Sequence, residues 1–111
     1  MKGKIVLIPF PFTDLTAAKL RPALVLFEGE RDVVAVFISS RVPRSPTLTA
    51  IVVGEKHPEF KLTGLKGASV IRLDKVATIS KELIIGEIGE IGDKLKKETN
   101  TKLSKTYKFP T

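Results

Sequence analysis

Cysteine and tryptophan are absent from this chain of 111 residues, and histidine, methionine and tyrosine occur once each. Without thiols there is neither a disulfide framework nor a thiolate metal site, and one imidazole cannot build a zinc centre alone. Long apolar runs are missing as well. Nothing approaches the roughly 18 consecutive apolar residues that would span a bilayer, and the longest runs, such as Val33 to Ile38 and Ala23 to Phe27, have strand length. An apolar strand starts almost at once, so no signal peptide is expected. These absences predict a cytoplasmic chain without metal or cofactor, forming one domain over residues 1–111 with a modest core.

What is abundant is positive charge. Nineteen Lys and Arg against twelve Asp and Glu give a formal charge of +7 and a pI near 9.8. Such an excess favours a polyanionic partner, because basic side chains gain affinity by releasing condensed counterions. A solvated Lys/Glu-rich surface accounts for the same numbers. Much of the excess lies between Lys94 and Lys108, so charge alone does not choose.

The chain is organised around Phe10 to Leu26. An apolar strand gives way to a polar loop carrying Thr13, Asp14, Thr16 and Lys19, and Arg21-Pro22 then opens a second apolar run. Proline brings no ladder donor, so Pro22 is expected at the start or edge of its strand, with Arg21 at the mouth of the sheet. A cation fixed there can contact phosphate or simply face solvent.

Further strands are expected at 33–38, 47–53, 68–73, 76–79 and 84–91, with irregular chain between Gly54 and Gly67. From Gly92 the period changes. Ile91, Leu95, Thr99, Leu103 and Tyr107 fall on one stripe at steps of four, with Asp93 near one end and lysines 102, 105 and 108 near the other. That pattern predicts an amphipathic helix over roughly 93–106. Six or seven short strands and one C-terminal helix predict a mainly β fold, a small, strongly bent SH3-like barrel.

Arg72 and Asp74 stand two apart on a predicted strand, so their side chains leave one face. Such a pair can serve a phosphodiester, the cation stabilising charge and the carboxylate moving a proton, or can be an ordinary surface ion pair. Ser39 ends a strand, where its hydroxyl can donate to a phosphate oxygen or bond its own backbone. Phe10 and Phe12 can stack on bases or pack in a core or dimer contact. His57, in Glu55-Lys56-His57-Pro58, reads as a surface loop residue.

Gly3-Lys4-Ile5-Val6-Leu7-Ile8, Arg21-Pro22-Ala23-Leu24-Val25-Leu26, Val36-Phe37-Ile38-Ser39-Ser40 and the segment Gly67 to Ile79 follow one another along the chain. In that order and spacing they resemble the MazF/PemK family of toxin endoribonucleases, over roughly residues 3–108. The resemblance implies sequence-selective, metal-independent cleavage of single-stranded RNA. The 2′-hydroxyl would attack the adjacent phosphate and leave a cyclic phosphate and a 5′-hydroxyl. It also implies a homodimer restrained by a cognate antitoxin. The matching catalytic positions are Arg21, Ser39, Arg72 and Asp74, with the arginines on phosphate and Asp74 as base. Thr13, Asp14, Lys19, Ser40, Arg41 and Arg44 are the expected substrate-binding residues. A histidine that some relatives carry in the first loop has no counterpart between residues 9 and 21, which leaves the general acid without a candidate. The rival expectation is a basic SH3-like module that binds nucleic acid without cleaving it.

Overall fold

The structure, a computed structural model, describes residues 1–10, 19–45 and 47–111. Its strands are β1 (Lys4–Phe10), β2 (Lys19–Glu28), β3 (Asp32–Ser39), β4 (Ala50–Val53), β5 (Ser69–Ser80) and β6 (Gly86–Glu90). They form one antiparallel sheet in the order β4-β5-β3-β2-β1-β6. A short helix α1 (Phe60–Thr63) follows β4, and α2 (Asp93–Thr106) follows β6. The expected barrel is thus a curled half-barrel. Its edge strands β4 and β6 do not pair with each other; α1 packs against β6, and α2 against β4 and β5.

Alternation along the strands feeds two apolar clusters, one on each face of the sheet. Ile5, Leu24, Val36, Ile38, Ile71 and Leu73 join Leu95 of α2 in the first cluster. Val6, Ile8, Ala23, Val25, Val33 and Ala35 form the second, against Ile79, Leu83 and Ile84. This explains why Ile5–Ile8 and Ala23–Phe27 read as unbroken apolar runs.

Helix α2 follows the predicted stripe. Leu95 and Thr99 are buried, Leu103 packs on the first cluster, and the Tyr107 hydroxyl donates to the Leu73 carbonyl. Its N-terminus is held from outside the helix. Glu59, just before α1, accepts from the backbone N–H of Gly92 at 3.1 Å, Lys94 at 2.8 Å and Leu95 at 3.0 Å. Burial opposes the charge on Glu59, but these three donors outweigh it and hold the carboxyl below its ordinary range. Two glycines permit the α1–β6 contact. Gly64 has φ +71, and a Cβ at Gly89 would meet the Thr63 carbonyl oxygen at 2.3 Å.

Pro22 takes the edge-like of its two expected places. It is the fourth residue of β2, opposite Leu7, and not the first. It is tolerated because pairing there is one-sided: the β3 ladder begins only at Ala23, opposite Phe37.

Candidate active site

The site starts from an irregularity in β5. Between Val36 and Phe37 the β3 strand advances one residue, while β5 passes from Val76 to Arg72. Leu73, Asp74 and Lys75 are therefore left without β3 partners, and the two short strands expected at 68–73 and 76–79 are one strand with a wide bulge between them. Leu73 turns into the core, and its N–H donates to the Thr49 carbonyl at 2.8 Å. Asp74 and Lys75 stay exposed. Bulges re-aim side chains in this way at the ends of sheets.

Beside the bulge lies a cavity of about 290 Å³ whose lining includes Arg21, Phe37, Ser39, Arg41, Arg72 and Lys75. Three chain segments meet there. Arg21 and Ser39 come together because Ala23 faces Phe37, so each stands two residues further towards the same end of the sheet. Phe37 faces Arg72 across the next ladder. A second hollow of about 420 Å³ shares Arg21, Ile38, Ser39 and Ser40 with the first and extends past Pro22 and Lys66. The two hollows adjoin at those shared residues, and in this groove every charged side chain among the described lining residues is basic.

Asp74 does not line that groove. Its carboxylate accepts from Arg72 Nε at 3.1 Å and Nη2 at 3.0 Å, a two-pronged pair that leaves Nη1 outside it. The Arg72 hydrogen bond is the main reason the Asp74 carboxyl sits below its ordinary range, and the same bond raises Arg72. Both side chains are more than one-third exposed, at 39% and 36%, so water screens the pair and its worth lies in orientation more than in stability.

Ser39 Oγ accepts from the Arg41 backbone N–H at 3.1 Å. This is the local backbone bond that its strand-end position allows, and it leaves the hydroxyl proton to donate elsewhere. Ser40 lines both hollows and Arg41 the first. Lys19 begins β2, opposite Phe10, and Arg44 is exposed in the 40–45 loop; neither lines the groove. Thr13 and Asp14 lie outside the described residues, as does Phe12. His57 accepts the Glu59 backbone N–H on Nδ1 at 2.9 Å, shaping the turn into α1, and lines neither hollow. Lys75 and Phe37 escaped the sequence reading; the break between two predicted strands at Asp74-Lys75 was the one signal that the backbone changes course there.

Among solved structures, the chain superposes on Mycobacterium tuberculosis toxin MazF-mt6 with a TM-score of 0.73 at 18% identity, covering 94% of this chain and 95% of that one. An endoribonuclease in complex with its cognate antitoxin, from a mycobacterial species, gives 0.69 at 20% identity, with 99% and 98% covered. Another mycobacterial endoribonuclease gives 0.70 at 22% identity, with 100% and 93% covered. At such identities the likeness establishes the fold. No curated protein matches the sequence significantly. The family model described as PemK-like, MazF-like toxin of type II toxin–antitoxin systems matches residues 1–107. With nearly the whole chain so matched, and the fold shared with toxins of that kind, this protein belongs to the PemK-like, MazF-like toxin family of type II toxin–antitoxin systems.

Proposed function

We propose that the protein is a cytoplasmic endoribonuclease that cleaves single-stranded RNA at selected sequences, without a metal. The observation that carries this reading is the convergence of Arg21, Arg41, Arg72 and Lys75 with the Ser39 and Ser40 hydroxyls on one small cavity. A phosphodiester seated there meets charge from several directions, in a place preorganised by three strands. The 2′-hydroxyl gives up its proton to water as its oxygen attacks the adjacent phosphorus, negative charge grows on the non-bridging oxygens, and the bond to the 5′-oxygen breaks as that oxygen takes a proton from water to leave as the 5′-hydroxyl. Arg21 and Arg72 stabilise that charge, and the Ser39 hydroxyl donates a hydrogen bond to one of those oxygens. Arginine stays protonated at any working pH, so it acts here by charge and not by giving up a proton.

Asp74 is the residue whose role the geometry changes. With both oxygens on Arg72, its first task is to hold the guanidinium towards the cavity. Acting as the base, as the resemblance implies, would require that pair to open. This closed pair is also what favours the rival reading, a module that binds RNA without cutting it. Incubation with a long RNA in EDTA, followed by mapping of the new ends, decides between them. Cyclic phosphate and 5′-hydroxyl ends clustered at one short motif are expected. Strict dependence on a divalent ion, or 5′-phosphate products, would sink the reading.

The partners follow the same reasoning. A solved neighbour is an endoribonuclease with its cognate antitoxin, and a basic groove of this kind suits an acidic inhibitor chain that orders on binding. We propose such an antitoxin and a homodimer. The exposed apolar side chains of Phe27, Val76 and Ile85 leave surface for a second copy to cover and support the homodimer. Light scattering near twice 12.2 kDa at micromolar concentration is the expected result.

A further inference from the structure

We propose that Lys75 is a further catalytic residue, whose ammonium takes over from water as the proton donor to the departing 5′-oxygen. This rests on the nuclease reading of the same cavity and gives that reaction its general acid.

The chemistry of the cavity lining leaves one candidate. Among its described residues are three guanidiniums (Arg21, Arg41 and Arg72), two hydroxyls (Ser39 and Ser40) and one ammonium, Lys75. A guanidinium keeps its proton at any working pH, and a serine hydroxyl is no stronger an acid than the alcohol it would have to make. The ammonium alone carries charge and can also part with a proton. Groups outside the cavity do not compete. Asp74 is kept ionised by Arg72 and has no proton to give near neutrality. The Tyr107 hydroxyl is engaged by the Leu73 carbonyl, and neither Tyr107 nor His57 lines the groove. Lys66 lines only the second hollow, of which Arg41 and Arg72 are not part.

Placement agrees with the chemistry. The bulge takes Leu73, Asp74 and Lys75 off the β3 ladder, sends Leu73 into the core and leaves Lys75 exposed on the cavity. Arg72 and Lys75 therefore flank the bulge, and they are held differently. Two hydrogen bonds to Asp74 fix Arg72, which suits charge that grows at a fixed place. Among the described residues no carboxylate forms an ion pair with Lys75; Asp74 feels its charge but bonds Arg72. A flexible four-carbon stem with three donors can follow an oxygen that moves away as its bond breaks. Attacking and leaving oxygens stand roughly in line, with the non-bridging oxygens between them. Once Arg21 and Arg72 serve the non-bridging oxygens, the leaving oxygen is what remains for Lys75. The step balances: the electron pair of the breaking P–O bond stays on the 5′-oxygen, which takes a proton from Nζ. The neutral amine then regains a proton from the water that received the one lost by the 2′-hydroxyl.

The test replaces the leaving oxygen with sulfur, in an RNA carrying a single bridging 5′-phosphorothiolate at the motif that end mapping defines. A thiolate leaves without being protonated, since thiols are far stronger acids than alcohols, so a general acid becomes dispensable. Cleavage is followed in single turnover with the full chain in saturating excess, which removes RNA affinity from the rate. On the oxygen RNA, Lys75→Ala should cut about 10²-fold more slowly, the lower end of what a positioned acid contributes. Lys75→Arg, with the charge but no proton to release, should be as slow. On the sulfur RNA both variants should come within about threefold of wild type. Arg72→Ala should stay slow on both, because it acts on the non-bridging oxygens. Lys75 is exposed, so neither variant at this position should shift the melting temperature. Wild-type speed of either Lys75 variant on the oxygen RNA overturns the proposal. An equal defect on oxygen and sulfur overturns it too, and makes Lys75 a phosphate contact. Failure of wild type to cut the oxygen RNA overturns the nuclease reading and this one with it, whereas an active wild type indifferent to Lys75 overturns this inference alone.

Discussion

Glu59 and Asp74 are both carboxylates with both oxygens engaged, yet they lie near opposite ends of α2 and act in opposite ways. Glu59 accepts three backbone N–H groups and locks the start of α2 to the chain before α1. Asp74 accepts one guanidinium on an open surface, and its side chain otherwise bonds its own backbone N–H. At the Glu59 end, polar groups are used up in making the fold. At the Asp74 end the fold is complete without them, because core burial holds the strands, and the basic groups are left over for a partner. Stability and activity should therefore separate by region, and each experiment below either breaks that separation or sharpens it.

The largest effect is expected at the open end. Arg72→Ala and Arg21→Ala should each lower turnover on RNA by about 10²–10³, the usual loss when a preorganised donor to developing charge is removed. Thermal unfolding should hardly move, since Arg21 is exposed and the one ion pair of Arg72 is screened by water. If saturating RNA restored full turnover, these arginines would serve binding alone.

Glu59→Ala reverses the pattern. Losing a capping carboxylate should cost about 1–2 kcal/mol in denaturant unfolding, with turnover per folded molecule intact. Gly89→Ala should cost at least as much, because its Cβ would meet the Thr63 and Leu62 carbonyls at 2.3 and 2.4 Å, backbone that cannot step aside. Acid gives a cross-check. The folded Glu59 carboxyl lies below its ordinary 4.5, so its stabilisation is complete above that value and is lost as pH falls through the folded one. The gap in melting temperature between wild type and Glu59→Gln should hence close below pH 4.5.

The same contrast explains what the sequence disclosed. Helix α2 was legible because Leu95, Thr99 and Leu103 repeat at the period of the face they bury, a purely local signal. The groove was half legible: Arg21, Ser39 and Arg72 were found through motif order, and the sheet brings them together. Lys75 and Phe37 were hidden because their placement depends on a three-residue bulge, set by pairing between distant strands. Glu59 was silent for the same reason, since its donors lie more than thirty residues away. Helix α1, with four residues, is too short for any period to show.

A smaller effect is expected at Asp74. If the carboxylate chiefly aims Arg72, Asp74→Asn should slow cleavage about tenfold and add nothing once Arg72 is Ala, the non-additivity of groups acting as one unit. The folded Asp74 carboxyl lies below its ordinary 3.8. It is thus charged throughout the neutral range, its contribution vanishing only as pH falls through that lowered value. Any acid limb above pH 5 or so in the rate profile belongs to another group and should persist in Asp74→Asn. Disappearance of such a limb in the variant would restore Asp74 to the role of base.

The smallest effect separates two neighbouring arginines that the sequence treats alike. Arg41 lines the cavity, and its backbone N–H is tied to Ser39 Oγ at 3.1 Å, so its position is set by the strand end. Arg44 stands three residues further along the loop, exposed, and lines neither hollow. Each phosphate neutralised on a single strand contributes about 0.7 to the slope of log affinity against log salt. Anisotropy with an uncleavable 2′-O-methyl RNA between 50 and 200 mM salt, roughly the span over which such slopes are read, should show that decrement for Arg41→Ala. Arg44→Ala should leave the slope nearly as it was. Equal decrements would mean that the RNA path continues along the 40–45 loop and that the groove is longer than its two hollows. A decrement for Arg44 alone would move the path away from Ser39 altogether, and with it the division between a fold-making end and a binding end.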